Sequence, residues 1–191
     1  MLTITLRDDG FGIPSGSLPK YIVGIRIRDQ VLLHPVEVAY LSLTNEAKVI
    51  KDGKELSFKD VLAHITSALE KSCREKGKGC RTLRTFWSLL TVYYDLRKKN
   101  RKVVPEARRE GTLVEIRRNS WWSEYLVLEE GLKVKVEDLL YWADDVRAND
   151  MKSIVAVVDR NSGVTYYELT PVEFREVSKR TEEVPSSQVF S

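Results

Sequence analysis

One segment, TLRTFWSLLTVYYDLRKKN at residues 82–100, constrains the fold more than any other part of the chain. Its large apolar side chains recur at helical spacing, which predicts a long helix with one buried face. Three cations in its last turn suit the negative end of the helix dipole, and Asn100 suits the left-handed residue that often ends a helix. The side chains predicted to face the core are Phe86, Leu89, Leu90, Tyr93 and either Leu96 or Arg97.

Beyond this helix the pattern changes to short apolar runs that are typical of strands. A second amphipathic helix, residues 133–150, interrupts these runs. The order of helix, strand, strand, helix, strand, strand predicts an α/β domain with a mixed sheet flanked by helices. The strand candidates are LVEIRR, EYLVLEE, SIVAVVD and VTYYELTPV, and VVPEARREG is interpreted as a connector. The residues of the second helix predicted to face inward are Val136, Leu139, Leu140, Ala143 and Val146.

The first part of the chain mixes strands with helices. Residues 34–41, HPVEVAYL, are predicted to form a short helix, because proline is favoured at the first helical position. Asp52 and Gly53 mark a tight hairpin, and Ser57 with Asp60 resembles the capping box of a further helix. That helix has Phe58, Val61, Leu62, Ile65 and Leu69 on one face. TITLR, YIVGIRI and QVLLH are predicted strands, and GIPSGSLPK is a predicted turn.

The glycine- and lysine-rich segment 74–81 separates these two parts and is predicted to be a linker. The expected fold class is therefore α+β. We expect an N-terminal mixed α/β domain at residues 1–78 and a C-terminal α/β domain at residues 82–175. The polar residues 176–191 are expected to form a frayed tail.

Charge is distributed unevenly along the 191 residues. Between Arg74 and Arg118, 14 Lys and Arg residues accompany 5 Asp and Glu residues, whereas the remainder of the chain is net acidic. A basic middle segment is the electrostatic pattern of a surface that binds a polyanion. A solvated helix face followed by a charged loop gives the same pattern, so charge alone leaves both interpretations open.

The cysteines, the histidines and the hydropathy of the chain indicate whether it is a metal-binding, a secreted or a membrane protein. Cys73, Cys80, His34 and His64 are too scattered for a four-ligand zinc site, and we expect neither a metal nor another cofactor. The cysteine spacing allows either a loop-closing disulfide or two thiols. No apolar run reaches membrane-spanning length, and the N-terminus lacks the features of a secretion signal. We expect a cytoplasmic protein with no membrane partner.

Several segments, taken together, resemble the archaeal tRNA-splicing endonuclease family. The resemblance covers roughly residues 20–172 and implies that the C-terminal domain is nuclease-like. It also implies a metal-free reaction, in which the 2′-hydroxyl beside the cut attacks the phosphate and leaves 2′,3′-cyclic phosphate and 5′-hydroxyl ends. The segments that carry it, in this order and spacing, are LLHPVEVAYL, GKELSF, YYDLRKKNRKVVPE, SEYLV and VAVVD.

The resemblance implies a catalytic tyrosine, histidine and lysine, and each matching position holds a different residue. The tyrosine position falls on Arg117, the histidine position on Trp122 and the lysine position on Met151, with Lys152 one residue later. A guanidinium stays protonated, an indole N–H only donates, and a thioether carries no charge to stabilise a phosphorane. We therefore expect no catalytic residue in this chain. Trp122 is expected to pack with Trp121, with a protein interface and an RNA-stacking surface as alternatives.

The same resemblance suggests candidates for RNA and subunit contacts. Arg108, Arg109 and Arg118 are candidate phosphate contacts, although pairing with nearby glutamates is as consistent with the sequence. The C-terminal strand is implied to pair with a strand of another subunit, which would protect an apolar edge. The turn DRNSG corresponds to a loop that docks into a partner. The candidate interface residues are Asp159, Val164, Tyr166, Tyr167, Leu169 and Trp122.

These observations predict a structural, non-catalytic subunit of a tRNA-intron endonuclease. Two copies are expected to join two catalytic subunits in an α2β2 heterotetramer that cleaves precursor tRNA at bulge-helix-bulge sites. The first alternative is a stand-alone RNA-binding protein derived from the nuclease fold. The second is an active nuclease that uses other residues, such as Tyr125, Lys152 and His34.

Overall fold

The computed structural model describes residues 2–75, 81–106 and 109–170, apart from the side chains of residues 81–84. The strands of its N-terminal part are β1 Leu2–Leu6, β2 Gly12–Ser15, β3 Ile25–Ile27, β4 Gln30–Leu32, β5 Ala47–Lys51 and β6 Lys54–Glu55. Four of them form a sheet in the order β2-β1-β5-β6, in which β1 and β5 run parallel. The outer strands β2 and β6 pair antiparallel to their neighbours. β3 and β4 form a separate hairpin.

Glycine and proline account for two departures from the predicted strands. The predicted strand YIVGIRI is reduced to β3, because Gly24 takes a positive φ of 63° and interrupts the extended backbone. A Cβ on Gly24 would lie 2.6 Å from Val31 Cγ1, so a larger residue does not fit without a shift. The predicted turn GIPSGSLPK contains strand β2, where Pro14 is tolerated because β2 lies at the edge of the sheet.

Two helices complete the N-terminal part, α1 Pro35–Leu43 and α2 Phe58–Glu75. Almost all of α1 is buried, so this helix lies inside the core rather than on its surface. The first turn of α2 is held by reciprocal hydrogen bonds between Ser57 and Asp60, which confirms the predicted capping box. The predicted hairpin between β5 and β6 is also confirmed.

The C-terminal part contains a five-stranded mixed sheet. Its strands are β7 Val103–Pro105, β8 Thr112–Arg117, β9 Ser120–Glu129, β10 Lys152–Val158 and β11 Val164–Glu168. They are ordered β11-β10-β9-β8-β7, with β9 and β10 parallel and the other neighbours antiparallel. β7 falls in the segment that the sequence indicated as a connector. It is a three-residue edge strand ending in proline, too short to leave a strand pattern.

Helices α3 Arg81–Lys98 and α4 Val136–Ala148 cover opposite faces of this sheet. The predicted core face of α3 is confirmed, since its five apolar candidates are buried and Arg97 is buried with them. The predicted fold class is confirmed as well: the chain is α+β, with a mixed sheet between helices in the C-terminal part.

The predicted inward face of α4 is confirmed at Ala143 and Val146 and wrong at Val136 and Leu140. Val136 and Leu140 are exposed, whereas Trp142, Ala143 and Val146 face the sheet and Leu139 is partly buried against it. The physical reason is the Trp142 side chain. Its large ring fills the space above the sheet, and its indole N–H donates to Glu124 Oε1 at 2.9 Å.

Both parts of the chain contribute to one buried apolar cluster. Side chains of β1, β5, α1 and α2 are continuous in it with those of α3, β8, β9 and β10. The predicted linker and the predicted tail 176–191 lie largely or wholly outside the described residues, as does Cys80, so the cysteine pairing stays a prediction. None of the described helices is long and apolar enough to cross a membrane.

Candidate functional site at the β8–β9 hairpin

The three positions that the resemblance assigns to catalysis lie at or near one end of the C-terminal sheet. β8 and β9 are joined by a tight two-residue turn, in which Arg118 and Asn119 have positive φ values of 48° and 65°. Such a turn matches the natural twist of paired strands. The register between the two strands shifts between Glu115 and Ile116, just before the turn. The hairpin therefore presents Arg117 and Trp122 close together beside the turn.

A buried carboxylate, Glu115, organises the polar side chains of this region. It is 2% exposed and lies on β8. Its Oε2 atom accepts hydrogen bonds from the Tyr125 hydroxyl at 2.6 Å, Arg101 Nη1 at 2.9 Å and Ser123 Oγ at 3.1 Å. Its Oε1 atom accepts one from Arg117 Nε at 2.7 Å. We call these five residues the Glu115 network.

The Glu115 network holds its groups in fixed protonation states near neutral pH. Burial favours a raised pKa for Glu115, but the hydrogen bonds from Tyr125, Arg117 and Arg101 outweigh it and lower the pKa below its ordinary value. Burial, together with the bond to Glu115, raises the pKa of Tyr125. Glu115 is thus a permanent carboxylate and Tyr125 a permanent donor.

Arg117 and Trp122, at the tyrosine and histidine positions, stack on each other. The guanidinium carbon of Arg117 lies 4.8 Å from the centre of the Trp122 ring, within the range of a cation–π contact. Trp122 is nevertheless 42% exposed and Trp121 is 58% exposed. The expectation that these two rings are packed within the protein is therefore wrong. They are surface side chains, because the hairpin end extends beyond the cover provided by the helices.

The lysine position is apolar and buried. Met151 lies beneath α4 in a cluster with Val146 and Val155. The following residue, Lys152, is on the surface, where its ammonium pairs with Glu168 at 2.9 Å across β10 and β11. If the alignment with the family were shifted by one residue, Lys152 would fall on the lysine position. Its ammonium group is, however, already paired with the Glu168 carboxylate.

The residues of the second alternative, an active nuclease, belong to separate hydrogen-bond networks. His34 caps α1, where its Nδ1 accepts from the Val36 N–H at 3.2 Å, in agreement with the structural role expected for it. Desolvation lowers the pKa of His34 to about 4, so the ring is neutral. Tyr125 belongs to the Glu115 network and Lys152 pairs with Glu168. The structure does not bring these three side chains together.

The candidate RNA-binding arginines differ in what they contact. Arg109 bridges Glu124 and Asp145, which ties β9 to α4 and occupies its guanidinium. Arg118 is exposed in the turn of the hairpin. Arg108 lies outside the described residues.

The candidate interface residues also divide into two groups. Tyr166 points towards α3, where its hydroxyl donates to Asp95 at 2.6 Å, and Val164 and Leu169 pack against the core. Asp159 accepts hydrogen bonds from the N–H groups of its own turn, at Asn161 and Gly163. Tyr167 is exposed, and Trp122 was described above. Among the described strands, β11 pairs only with β10, so one edge of β11 has no described strand beside it.

Sequence reasoning missed the Glu115 network. One feature of the sequence could have indicated it. Glu115 lies two residues after Leu113 on an otherwise apolar strand, so the two side chains lie on the same, inward face of the sheet. An inward carboxylate requires cationic or hydroxyl partners, and the arginine-rich flanks supply them. Which arginine does so depends on the register of β8 with β9, which the sequence does not display.

Residues 86–166 match the family described as tRNA intron endonuclease, catalytic C-terminal domain. The match runs from α3 into β11, covers less than half of the chain, and contains the entire Glu115 network and the tryptophan pair. It supports a tRNA intron endonuclease role. No individual curated protein matches the chain significantly.

Proposed function

We propose that this chain is the structural, non-catalytic subunit of an archaeal tRNA-intron endonuclease and acts together with a catalytic subunit. The observation that carries the proposal is the content of the three catalytic positions. Arg117 and Trp122 stack on each other, and Met151 is buried. None of these side chains can accept and return a proton in the neutral range.

The surrounding groups support the same conclusion. General acid–base catalysis contributes about 10²- to 10⁴-fold to a rate when a group with a suitable pKa reaches the reacting atoms. Near Arg117, hydrogen bonds and neighbouring charges outweigh burial, so that they lower the pKa of Glu115 and raise the pKa of Arg101, and burial with the bond to Glu115 raises the pKa of Tyr125. The network stabilises the hairpin and leaves the proton transfers of RNA cleavage to another subunit.

The edge of the sheet supplies a means of assembly. β11 carries the exposed Tyr167 and has its outer backbone groups directed away from β10. A strand of a partner that pairs with this edge would satisfy those groups and cover the ring. We therefore place the partner contact at β11, with the turn that begins at Asp159 beside it. The expected assembly contains two copies of each subunit.

Co-expression with a catalytic subunit tests the proposal. We expect the two chains to co-purify as an α2β2 particle by sizing with light scattering. We expect that particle to cleave a bulge-helix-bulge precursor and leave 2′,3′-cyclic phosphate ends. The N–H groups of Leu169 and, by the alternation of the antiparallel ladder, of Tyr167 and Thr165 face β10, so the N–H of Glu168 faces outwards. Replacement of Glu168 by proline would remove this outward donor and should reduce assembly. The matched control is Glu168→Gln, which keeps the backbone donor.

Failure of the two chains to associate, with the lone chain still binding RNA, would contradict the proposal. That outcome would favour the alternative of a stand-alone RNA-binding protein.

A further inference from the structure

The end of the β8–β9 hairpin displays two indole rings that the fold does not cover. We refer to residues 117–122 as the tryptophan hairpin. Trp121 and Trp122 are adjacent in sequence and expose 58% and 42% of their surface. Tryptophan combines a large apolar surface with a flat π face, and its exposure in pairs marks a surface that contacts another molecule.

The hairpin is held in a defined geometry before any ligand arrives. The Arg117 side chain is bound to the buried Glu115 carboxylate, and its guanidinium in turn covers the Trp122 ring. The two-residue turn fixes the backbone at Arg118 and Asn119. Less conformational entropy is therefore lost when a flat group binds to the rings than would be lost on a flexible loop.

The charge around the rings favours an anion. Arg117 and Arg118 belong to the hairpin, and Lys102 lies beside it, since its carbonyl accepts from the Ile116 N–H at 2.8 Å. Glu115 is buried and already paired with arginines. Asp150, two residues before β10, is a carboxylate at the same end of the sheet, and Glu168 there is paired with Lys152.

A second exposed apolar surface in the same domain carries mixed charge. On α4 and just before it, Leu132, Val136, Leu140 and Tyr141 are exposed. Glu137 and Asp138 lie in the first turn of the helix, and the exposed Lys133 and Lys135 precede it. These charges offset each other, so this surface does not attract a polyanion. Exposed apolar side chains are thus common to both surfaces, and the arginines distinguish the tryptophan hairpin.

We propose that the tryptophan hairpin binds an unpaired nucleotide of an RNA, with the base stacked on the indole rings and the adjoining phosphate beside Arg118 and Lys102. The inference rests on the proposed function, because it gives the non-catalytic chain a direct contact with the RNA that its partner cuts. Stacking on aromatic side chains tolerates any base, since every base has a π face. The site therefore selects unpaired over paired nucleotides rather than one sequence over another.

Equilibrium binding of the full-length chain to two labelled RNAs tests this inference. One probe is a short unstructured oligonucleotide and the other is a fully paired RNA duplex of the same charge. Trp121→Ala and Trp122→Ala should each weaken binding of the unstructured probe about 5- to 100-fold, the range measured for loss of one base stack. Both should leave duplex binding nearly unchanged. Trp122→Phe should retain most of the affinity, because it keeps an aromatic face.

The chain offers a matched control in Trp87, which is 44% exposed on α3, away from the hairpin. Trp87→Ala should bind both probes as the unmodified chain does. Arg118→Gln should lower the salt dependence of binding by about one phosphate contact, whereas the tryptophan variants should leave it unchanged. Circular dichroism and thermal unfolding confirm that each variant is folded.

Unchanged affinity of both Trp121→Ala and Trp122→Ala for the unstructured probe would overturn the inference. So would variants that bind RNA normally but fail to associate with the catalytic subunit, because the rings would then belong to a protein interface. Neither outcome depends on cleavage. A different result would contradict the proposed function, namely cleavage of precursor tRNA by this chain in the absence of a catalytic subunit.

Discussion

Two fully buried glutamates in this chain show how the partner of a buried charge determines its behaviour. Glu115 is 2% exposed and Glu37 is 0% exposed. Burial raises the pKa of Glu37 to about 7, since its nearest donors are the backbone N–H groups of His34 and Gly24. Glu115 lies closer to the surface, beside two partly exposed guanidinium groups, and hydrogen bonds that include both of them outweigh its burial, so its pKa is lowered.

The difference teaches that a low exposed fraction does not by itself set the pKa of a carboxylate. Glu37 is deeply desolvated and its backbone amide donors only partly offset that cost, whereas the arginines and Tyr125 around Glu115 keep it charged. The titratable carboxylate lies at the N-terminus of α1, where it completes a capping box with His34. The carboxylate at the β8–β9 end of the C-terminal sheet is the one that does not titrate in the neutral range.

The largest effect that we expect comes from Glu115→Gln. The substitution removes the negative charge and replaces one of the two accepting oxygens with an NH2 group that only donates, so Arg101 and Arg117 lose their charged partner. Removing one member of a buried ion pair costs about 3–5 kcal/mol, and the partial exposure of both arginine side chains places this case near the lower value. Urea unfolding at pH 7 measures the free energy of unfolding. Glu137→Gln, on the exposed first turn of α4, is the control and should change it by less than about 0.5 kcal/mol.

The next effect concerns the pH dependence of the free energy of unfolding, to which His34 and Glu37 contribute with opposite sign. Glu37 has a folded pKa of about 7, above its ordinary 4.5, so its contribution to stability is present at low pH and is lost as the pH rises towards 7. His34 has a folded pKa of about 4, below its ordinary 6.5, so its contribution is lost as the pH falls from 6.5 towards 4. Between about pH 4.5 and 6.5 the two slopes nearly cancel.

Single variants should reveal each slope. In Glu37→Gln the His34 effect remains, so stability should fall by about 2 kcal/mol from pH 7.5 to pH 5 relative to the unmodified chain. In His34→Asn, which retains a capping oxygen, the Glu37 effect remains and stability should rise by a similar amount over the same interval. Denaturant unfolding at the two pH values measures both. Equal pH slopes in the three proteins would show that these two groups do not titrate as described.

The smallest effect is expected from Arg117→Gln, which tests the comparison of the two glutamates directly. Loss of one guanidinium should move the pKa of Glu115 upwards, in the direction of Glu37, while Arg101 and Tyr125 still hold it. The cost in stability should be about 1 kcal/mol, because the Arg117 side chain is partly exposed. Carbon-13 NMR of the glutamate carboxyl groups follows the titration. A pKa that stays in place would assign the lowering to Arg101 and Tyr125 alone.

The sequence predicted the parts of the fold that depend on local periodicity. The core face of α3, the capping box at Ser57 and four of the five strands of the C-terminal sheet follow from patterns within single elements, whereas β7 was missed. The orientation of α4 follows only in part. The predicted inward set included Leu140, but Trp142, about 200° further round the helix, faces the sheet instead. The contact between Trp142 and Glu124, which fixes this orientation, joins residues 18 positions apart.

The candidate site shows the same division. The resemblance indicated that positions 117, 122 and 151 match the catalytic positions of the family, and the sequence shows directly which residues occupy them. It could not predict that Trp122 is exposed and covered on one side by Arg117. That contact depends on the register shift beside Glu115 and on the tight turn.

The most direct test of the account is the cleavage of a bulge-helix-bulge precursor by this chain in the absence of any other subunit. The lone chain, purified free of nuclease and supplied in excess, should release no product, because no side chain at the three positions can transfer a proton. Addition of a catalytic subunit should produce 2′,3′-cyclic phosphate and 5′-hydroxyl ends. Release of those ends by the lone chain at a rate comparable with that of the complex would contradict the account.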